Sequence, residues 1–257
     1  LEIPRRGGTM VQPWFNKEEA HTGRTALKLR YHFEIETLPE TIELALEQPQ
    51  HFQLSINGQP LESMALADYW VDPAIQRIRV PANLLKIGSN QIELAVNFGA
   101  EVDLEAIYLL GDFGVYYRDP ITPTLATLPA RMEASDLCAQ GLPHFTGGIS
   151  YTLALPNNGS LRKLELGDFG GAALAVKAGD NSETICFPPY QAHIPTGIDQ
   201  AEVKVWLTRR NLLGPMHLIP TEQSQTGPDS FHSTGDNYQD SPVIIASGLL
   251  NKPTLKS

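Results

Sequence analysis

Apolar and polar residues alternate most clearly over "LKLRYHFEI". Leu27, Leu29, Tyr31, Phe33 and Ile35 share one phase, and Lys28, Arg30, His32 and Glu34 the other. A period of two held this long predicts a strand with one face in a core and one in water, as in antiparallel sheets. Shorter versions follow at Ile42, Leu44 and Leu46, at Phe52, Leu54 and Ile56, at Ile78 and Val80, and at Ile92, Leu94, Val96 and Phe98. A further strand is expected within "EAIYLLGDF". After a break the alternation resumes in "GISYTLAL", through Ile149, Tyr151, Leu153 and Leu155. It continues at Leu164 and Leu166, Leu174 and Val176, and Val203, Val205 and Leu207. The stretch "SPVIIASGLL" reads as a closing strand. Turn signals punctuate these runs at Asn57-Gly58, at "NNGS" (157–160) and at Gly179.

The break, residues 118–148, is rich in proline and reads as a connector with one helical turn near Arg131–Cys138. The expected organisation is a lead at 1–23, a first sandwich at 24–117, the connector at 118–148 and a second sandwich at 149–257. The two halves can be laid on each other. Tyr31 stands ahead of the turn glycine Gly58 by nearly the same stretch that separates Tyr151 from Gly179. Each turn is followed by a loop holding aromatic residues and proline, "YWVDP" or "FPPY", then by "IRVP" or "AHIP", then by a strand. Matching order and spacing point to one module present twice. The fold class is therefore all-β, as two tandem antiparallel β-sandwiches of jelly-roll type.

Composition changes this picture in three ways. At 257 residues and 42% apolar residues, the chain can fill two modest cores. The net charge of −10, with no run of Lys or Arg longer than a pair, argues against nucleic acid and anionic membrane surfaces as partners. No stretch approaches the roughly 20 apolar residues of a spanning helix, so membrane insertion is not expected. The two cysteines, Cys138 and Cys186, read as buried thiols rather than a disulfide framework. The N-terminus, "LEIPRRGGTM", reads as the edge of a longer chain, which leaves localisation undetermined.

A family resemblance rests on particular segments. "AQGLPHFTGGISYTLALP" resembles the segment that leads into the first strand of a galactose-binding-like sandwich in large glycoside hydrolases of the α-L-rhamnosidase-like and β-galactosidase-like groups. The matching positions are Gln140, Gly141, Pro143, Phe145 and Gly147, followed by Tyr151, with Leu142 standing where an aromatic is usual. "FPPYQAHIP", "VKVWLTRRNLLGP" and "VIIASGLLNKPTL" are similar, in order, to later pieces of the same region. The resemblance spans about residues 130–257 and implies the non-catalytic, C-terminal β-sandwich portion of such an enzyme. The catalytic domain of a parent chain would then be its partner. Sandwiches of this kind often carry structural Ca²⁺, although no calcium-ligand spacing is recognisable here.

The acidic residues Glu34, Glu36, Glu43 and Glu93 lie on the polar phase of strands, which suits a solvated face rather than a glycosidase carboxyl pair. No Gly-x-Ser-x-Gly elbow and no phosphate loop is present, and Cys138 has no His or Asn partner by spacing. His217, Asp229 and His232, with Asp236 and Asp240, share a polar tail and are weak metal-ligand candidates. Sugar recognition calls for outward aromatic rings flanked by polar groups. Tyr69, Trp70 and Asp72 in one loop, Tyr190 in another, and Trp206 with Arg209 meet that description. Their competing role is packing between domains. Trp14 and Phe15 are expected to anchor the lead, and Asn158-Gly159-Ser160 reads as a turn rather than a glycosylation site. The expected function is an accessory sandwich region of a larger carbohydrate-active enzyme. The alternatives are an independent carbohydrate-binding module and, behind it, a self-contained jelly-roll enzyme.

Overall fold

A computed structural model describes residues 24–61, 66–99, 102, 104–156, 162–219 and 234–256. The fold is all-β, with one short α-helix and two single-turn 3-10 helices among the described residues. It divides into two compact units, one up to residue 128 with 234–238, the other from 129 to 219 with 239–256. Trp14, Phe15, the 157–160 turn, Asp229 and His232 lie outside the described residues.

The first unit contains β1 (Thr25–Ile35), β2 (Ile42–Glu47), β3 (Gln53–Ile56), β4 (Gln59–Pro60), β5 (Leu66–Trp70), β6 (Asp72–Arg79), β7 (Gly88–Phe98), β8 (Tyr108–Gly111), β9 (Gly114–Tyr117) and β10 (Pro123–Ala126). One sheet runs β4-β3-β7-β1-β10-β9 and the other β5-β6-β2-β8. The alternating residues do what their period predicts. Phe33, Ile35, Leu44, Leu46, Leu54, Ile56, Ile78, Ile92 and Leu94 form one buried core. The opposite phase of β1 and β7 carries Lys28, Arg30 and Glu93, joined by two ion pairs of 2.8 Å each. Glu43 pairs with Arg77 and Glu36 with Arg118. Glu93 and Glu43 lie on sheet faces and Glu36 just past β1, and an exposed pair such as Glu36–Arg118 contributes little stability.

The Asn57-Gly58 turn follows from its residues. Both have positive φ, 52° and 77°, as a two-residue turn of type I′ requires. The Asn57 side chain then locks the turn in place. Its Nδ2 donates to Leu84 O at 2.8 Å and to Asn90 Oδ1 at 2.9 Å, while Gln91 N donates to its Oδ1 at 3.0 Å. Asn90, 1% exposed, accepts from Lys86 N and donates to Lys86 O and Gly88 O. A buried amide so fully matched loses little on leaving water.

The second unit contains β11 (Gly148–Ala154), β12 (Arg162–Glu165), β13 (Phe169–Gly170), β14 (Ala173–Ala178), β15 (Asn181–Ile185), β16 (Gln191–Ile194), β17 (Gln200–Trp206), α1 (Arg210–Leu213), β18 (Gly248–Leu249) and β19 (Thr254–Lys256). Its sheets run β11-β17-β14-β15 and β16-β12-β19, with β13 and β18 as a small pair. Tyr151, Leu164, Leu166, Leu174, Val176, Ile194, Val203, Val205 and Leu249 fill its core. The order β4-β3-β7-β1 of the first unit has its counterpart in β15-β14-β17-β11, and β6-β2-β8 in β16-β12-β19. The β3–β4 and β14–β15 hairpins both close on two residues, 57–58 and 179–180.

Four expectations need correction. The sheets are not wholly antiparallel, because β10 runs parallel to β1, with Glu34 opposite Thr124. The stretch 118–148 is not a bare connector. It supplies β10 to the first unit, and Leu137 and Leu142 pack into the second core. The helical turn expected near Arg131–Cys138 is a loop held by the Gln140 side chain. Its Nε2 donates to Glu133 O, Ser135 O and Asp136 O, and its Oε1 accepts from Glu133 N. A carboxamide that serves the surrounding backbone removes the need for a helix. Finally, the chain closes at β19 rather than through "SPVIIASGLL". There only Gly248–Leu249 pairs as a strand, and Ile245 and Ser247 bond to Asn211 and Asp136.

Candidate functional site

Residues 66–79 fold back as the β5–β6 hairpin, which places Trp70 opposite Asp72 with Val71 at the tip. Val71 has φ 52°, a strained value for a β-branched residue. The ladder is irregular between Tyr69 and Trp70, and the two rings part company. Tyr69 is 54% exposed, whereas Trp70 tilts against Tyr108 with ring centroids 4.9 Å apart. Asp72 is exposed but its Oδ1 accepts from Ala74 N at 2.8 Å, which is a turn contact. The hairpin therefore offers one free ring and one that supports its base.

Tyr190 is half-buried. It meets Phe169 edge to face at 5.0 Å and packs on the second core, so its ring is occupied. Arg209 is exposed at the start of α1, where its carbonyl accepts from Leu212 N and Leu213 N.

Trp206 is the best placed of the candidates. The period of β17 sends Val203 and Val205 into the core at 0% exposure, and Glu202, Lys204 and Trp206 to the outer face. Across the ladder Trp206 is flanked by Gly148 on β11 and Ala173 on β14. Neither has a side chain that could overtop a large ring, but Trp206 is half-buried and the Lys204 chain lies over Gly148 beside it. The Lys204 ammonium stands 5.3 Å from its centroid, within cation–π reach. One step along, Glu202 Oε1 accepts from Ser150 Oγ at 2.9 Å. Thr152, Lys177, Ser182 and Thr184 are exposed on strands of the same sheet. A half-exposed aromatic ring beside an ammonium group, with hydroxyls and a carboxylate farther along the same sheet face, can take the C–H face of a pyranose and bond its hydroxyls.

A second cluster was not legible in the sequence. Asn211 brings Cys138 and His144 into one neighbourhood. Its Oδ1 accepts from Ile245 N at 3.0 Å, its Nδ2 donates to Ile245 O at 2.7 Å and lies 3.6 Å from Cys138 Sγ, and its backbone oxygen is 2.5 Å from His144 Nδ1. Cys, His and Asn are the residue types of a nucleophilic site, but the electrostatics oppose that use. Burial pushes the Cys138 thiol up to about 11 and holds His144 below the usual imidazole range. A nucleophilic cysteine needs the reverse, a thiolate at neutral pH. The cluster instead joins the 137–145 loop to α1 and to residues 245–247. No spacing rule could have found it, because Asn211 lies 73 residues from Cys138 and 67 from His144.

Of the metal candidates, His217 Nδ1 sits 3.0 Å from Gln239 O, and the described residues contain no group of three or more His, Cys, Asp or Glu that could hold an ion. Both cysteines are free thiols; Cys138 is partly covered, whereas Cys186 is exposed, contrary to the buried reading. No helix among the described residues is long and apolar enough to cross a membrane.

No protein-family profile matches the chain, and no curated protein matches it in sequence. Among solved structures it is similar to a rhamnosidase from Novosphingobium sp. PP1Y, at 18% identity and a TM-score of 0.33. The likeness covers 92% of this chain and 22% of that one, so the chain spans about a fifth of the enzyme's length.

Proposed function

We propose that the chain is an accessory β-sandwich region of a larger carbohydrate-active enzyme of the glycoside hydrolase class, which supports a catalytic domain and presents an aromatic platform to glycan. The observation that carries this reading is the Trp206 ring on the outer face of β17, between Gly148 and Ala173 and beside Lys204. The corresponding strand orders of the two units support a duplicated sandwich, and the resemblance of "AQGLPHFTGGISYTLALP" supports a galactose-binding-like one. The mechanism is positional. The sheet face holds a sugar chain near a catalytic centre contributed by other residues, which raises its local concentration there.

Affinity electrophoresis through gels containing soluble polysaccharides, rhamnose-containing ones among them, tests glycan contact. Retardation of the wild-type chain that is lost in Trp206→Ala is the expected result. Unchanged mobility in every gel would remove glycan contact from the proposal. An independent carbohydrate-binding module is the second reading, favoured by the same platform. An immunoblot of source cells separates the two: the accessory role requires a native band far above 28.2 kDa, and a module working alone requires one near that mass.

A further inference from the structure

The ends of β1 and β10 and the turn between β9 and β10 enclose an open depression of about 450 Å³, lined by Glu34, Glu36, Ile87, Arg118, Asp119 and Thr124 among others. Ile87 stands 58% exposed in its wall, and Ile121, 62% exposed, lies in the adjoining turn two residues after Asp119. Isoleucines this open, one lining the concavity and one in the turn beside it, are the kind of surface that proteins use for contact. The floor is acidic. Among the described residues of the lining Arg118 is the one basic side chain, and it is already engaged: Nε and Nη2 reach the two Glu36 oxygens at 3.0 and 3.2 Å, and its guanidinium lies 4.8 Å above the Tyr116 ring. Asp119 is held by hydrogen bonds from Thr122 N and Ile121 N, which keep its carboxyl below the usual range and therefore charged. Glu34 sits beside Thr124 across the parallel β1–β10 register. With Glu36 neutralised by Arg118, two carboxylates remain to face the opening.

We infer that this depression is a protein-docking surface whose occupant is a polypeptide segment carrying an arginine or lysine next to an aliphatic residue. The cation settles between Glu34 and Asp119, and the aliphatic side chain covers Ile87 and Ile121. Charge complementarity fixes the register of such a contact, while the isoleucines supply the buried area. The inference belongs to the first unit and does not depend on the Trp206 platform.

The test is amide chemical-shift mapping of the full chain by NMR, with acetyl-Ile-Arg-Ile-amide as the probe and acetyl-Ile-Gln-Ile-amide as its neutral control. The expected result is shifts confined to residues 34–36, 87–88 and 118–124, and binding of the arginine peptide at least about fivefold tighter than the control. Raising the salt to about 0.5 M should weaken the arginine peptide toward the control. Glu34→Gln and Asp119→Asn should each remove most of that preference. Both keep the size of the original side chain, and the second also keeps a carbonyl oxygen to accept from the turn. Equal binding of the two peptides, or shifts scattered elsewhere, would overturn the inference. So would calcium chloride shifting the same amides without competition from the peptide, because the site would then be one for an inorganic cation.

Discussion

Asn90 shows how much a single side chain holds here. Its replacement by alanine removes three hydrogen bonds and also strips Asn57 of a partner, which leaves buried donors near the 57–58 turn unmatched. The expected cost is about 2–3 kcal/mol in urea-induced unfolding. Gly248 is a second such point. It has φ 87°, and a Cβ there would meet Leu137 Cγ and the Tyr151 hydroxyl at 2.6 Å. Gly248→Ala should therefore destabilise the second unit by about 2 kcal/mol or more, read from the midpoint of its melting transition. Titration gives a third expectation. The folded thiol of Cys138, at about 11, and the Tyr117 hydroxyl, at about 12, lie above their ordinary values because burial opposes the charged form. The unfolded chain releases these protons first, so stability is full below about pH 8.5 and declines as pH rises toward 11 and beyond. His144 works at the other end. Its lowered value means that the unfolded chain binds the proton more readily, so stability falls on acidification through about pH 6.5. Denaturation midpoints across pH check both limbs, and Cys138→Ala and His144→Gln should flatten their respective parts.

At the scale of elements, the strands with a clean period were legible and the pinned loops were not. β1, β7 and β17 could be read directly because every second residue of each lies in a core. The phase of β17 also placed Trp206 outside, which is the part of the candidate site that the sequence did foresee. Trp70 and Tyr190 were equally aromatic and equally loop-like in sequence, yet Tyr108 and Phe169 occupy their rings. Contacts of that kind join residues far apart in the chain and have no local signature. The same holds for Asn211, which looked like a turn residue and holds Ile245 by two hydrogen bonds. The parallel β1–β10 pairing was hidden for another reason. A proline opens β10, and four residues give too little alternation to reveal either a strand or its direction. These differences predict unequal reactivity. Cys186, exposed, should react with a disulfide reagent at neutral pH within minutes, whereas Cys138 should react only on unfolding.

At the scale of the whole molecule, each unit has its own core and its own pair of main sheets. Residues 24–128 expressed alone should unfold cooperatively, because the buried residues of their core all lie within that span. Loss of cooperativity in the isolated segment would show that the division into two units is not one of stability. The functional claim rests on the second unit. Its most direct test uses the three tryptophans of the chain, Trp14, Trp70 and Trp206. With Trp14→Phe and Trp70→Phe, the remaining indole fluorescence comes from Trp206 alone. Titration with a panel of polysaccharides should then give a saturable change in emission, with an apparent Kd in roughly the micromolar-to-millimolar range. The reciprocal reporter, which keeps only Trp70, should stay silent at the same concentrations. A response from Trp70 with none from Trp206, or silence from both across the panel, would contradict the proposal that the face of β17 meets glycan.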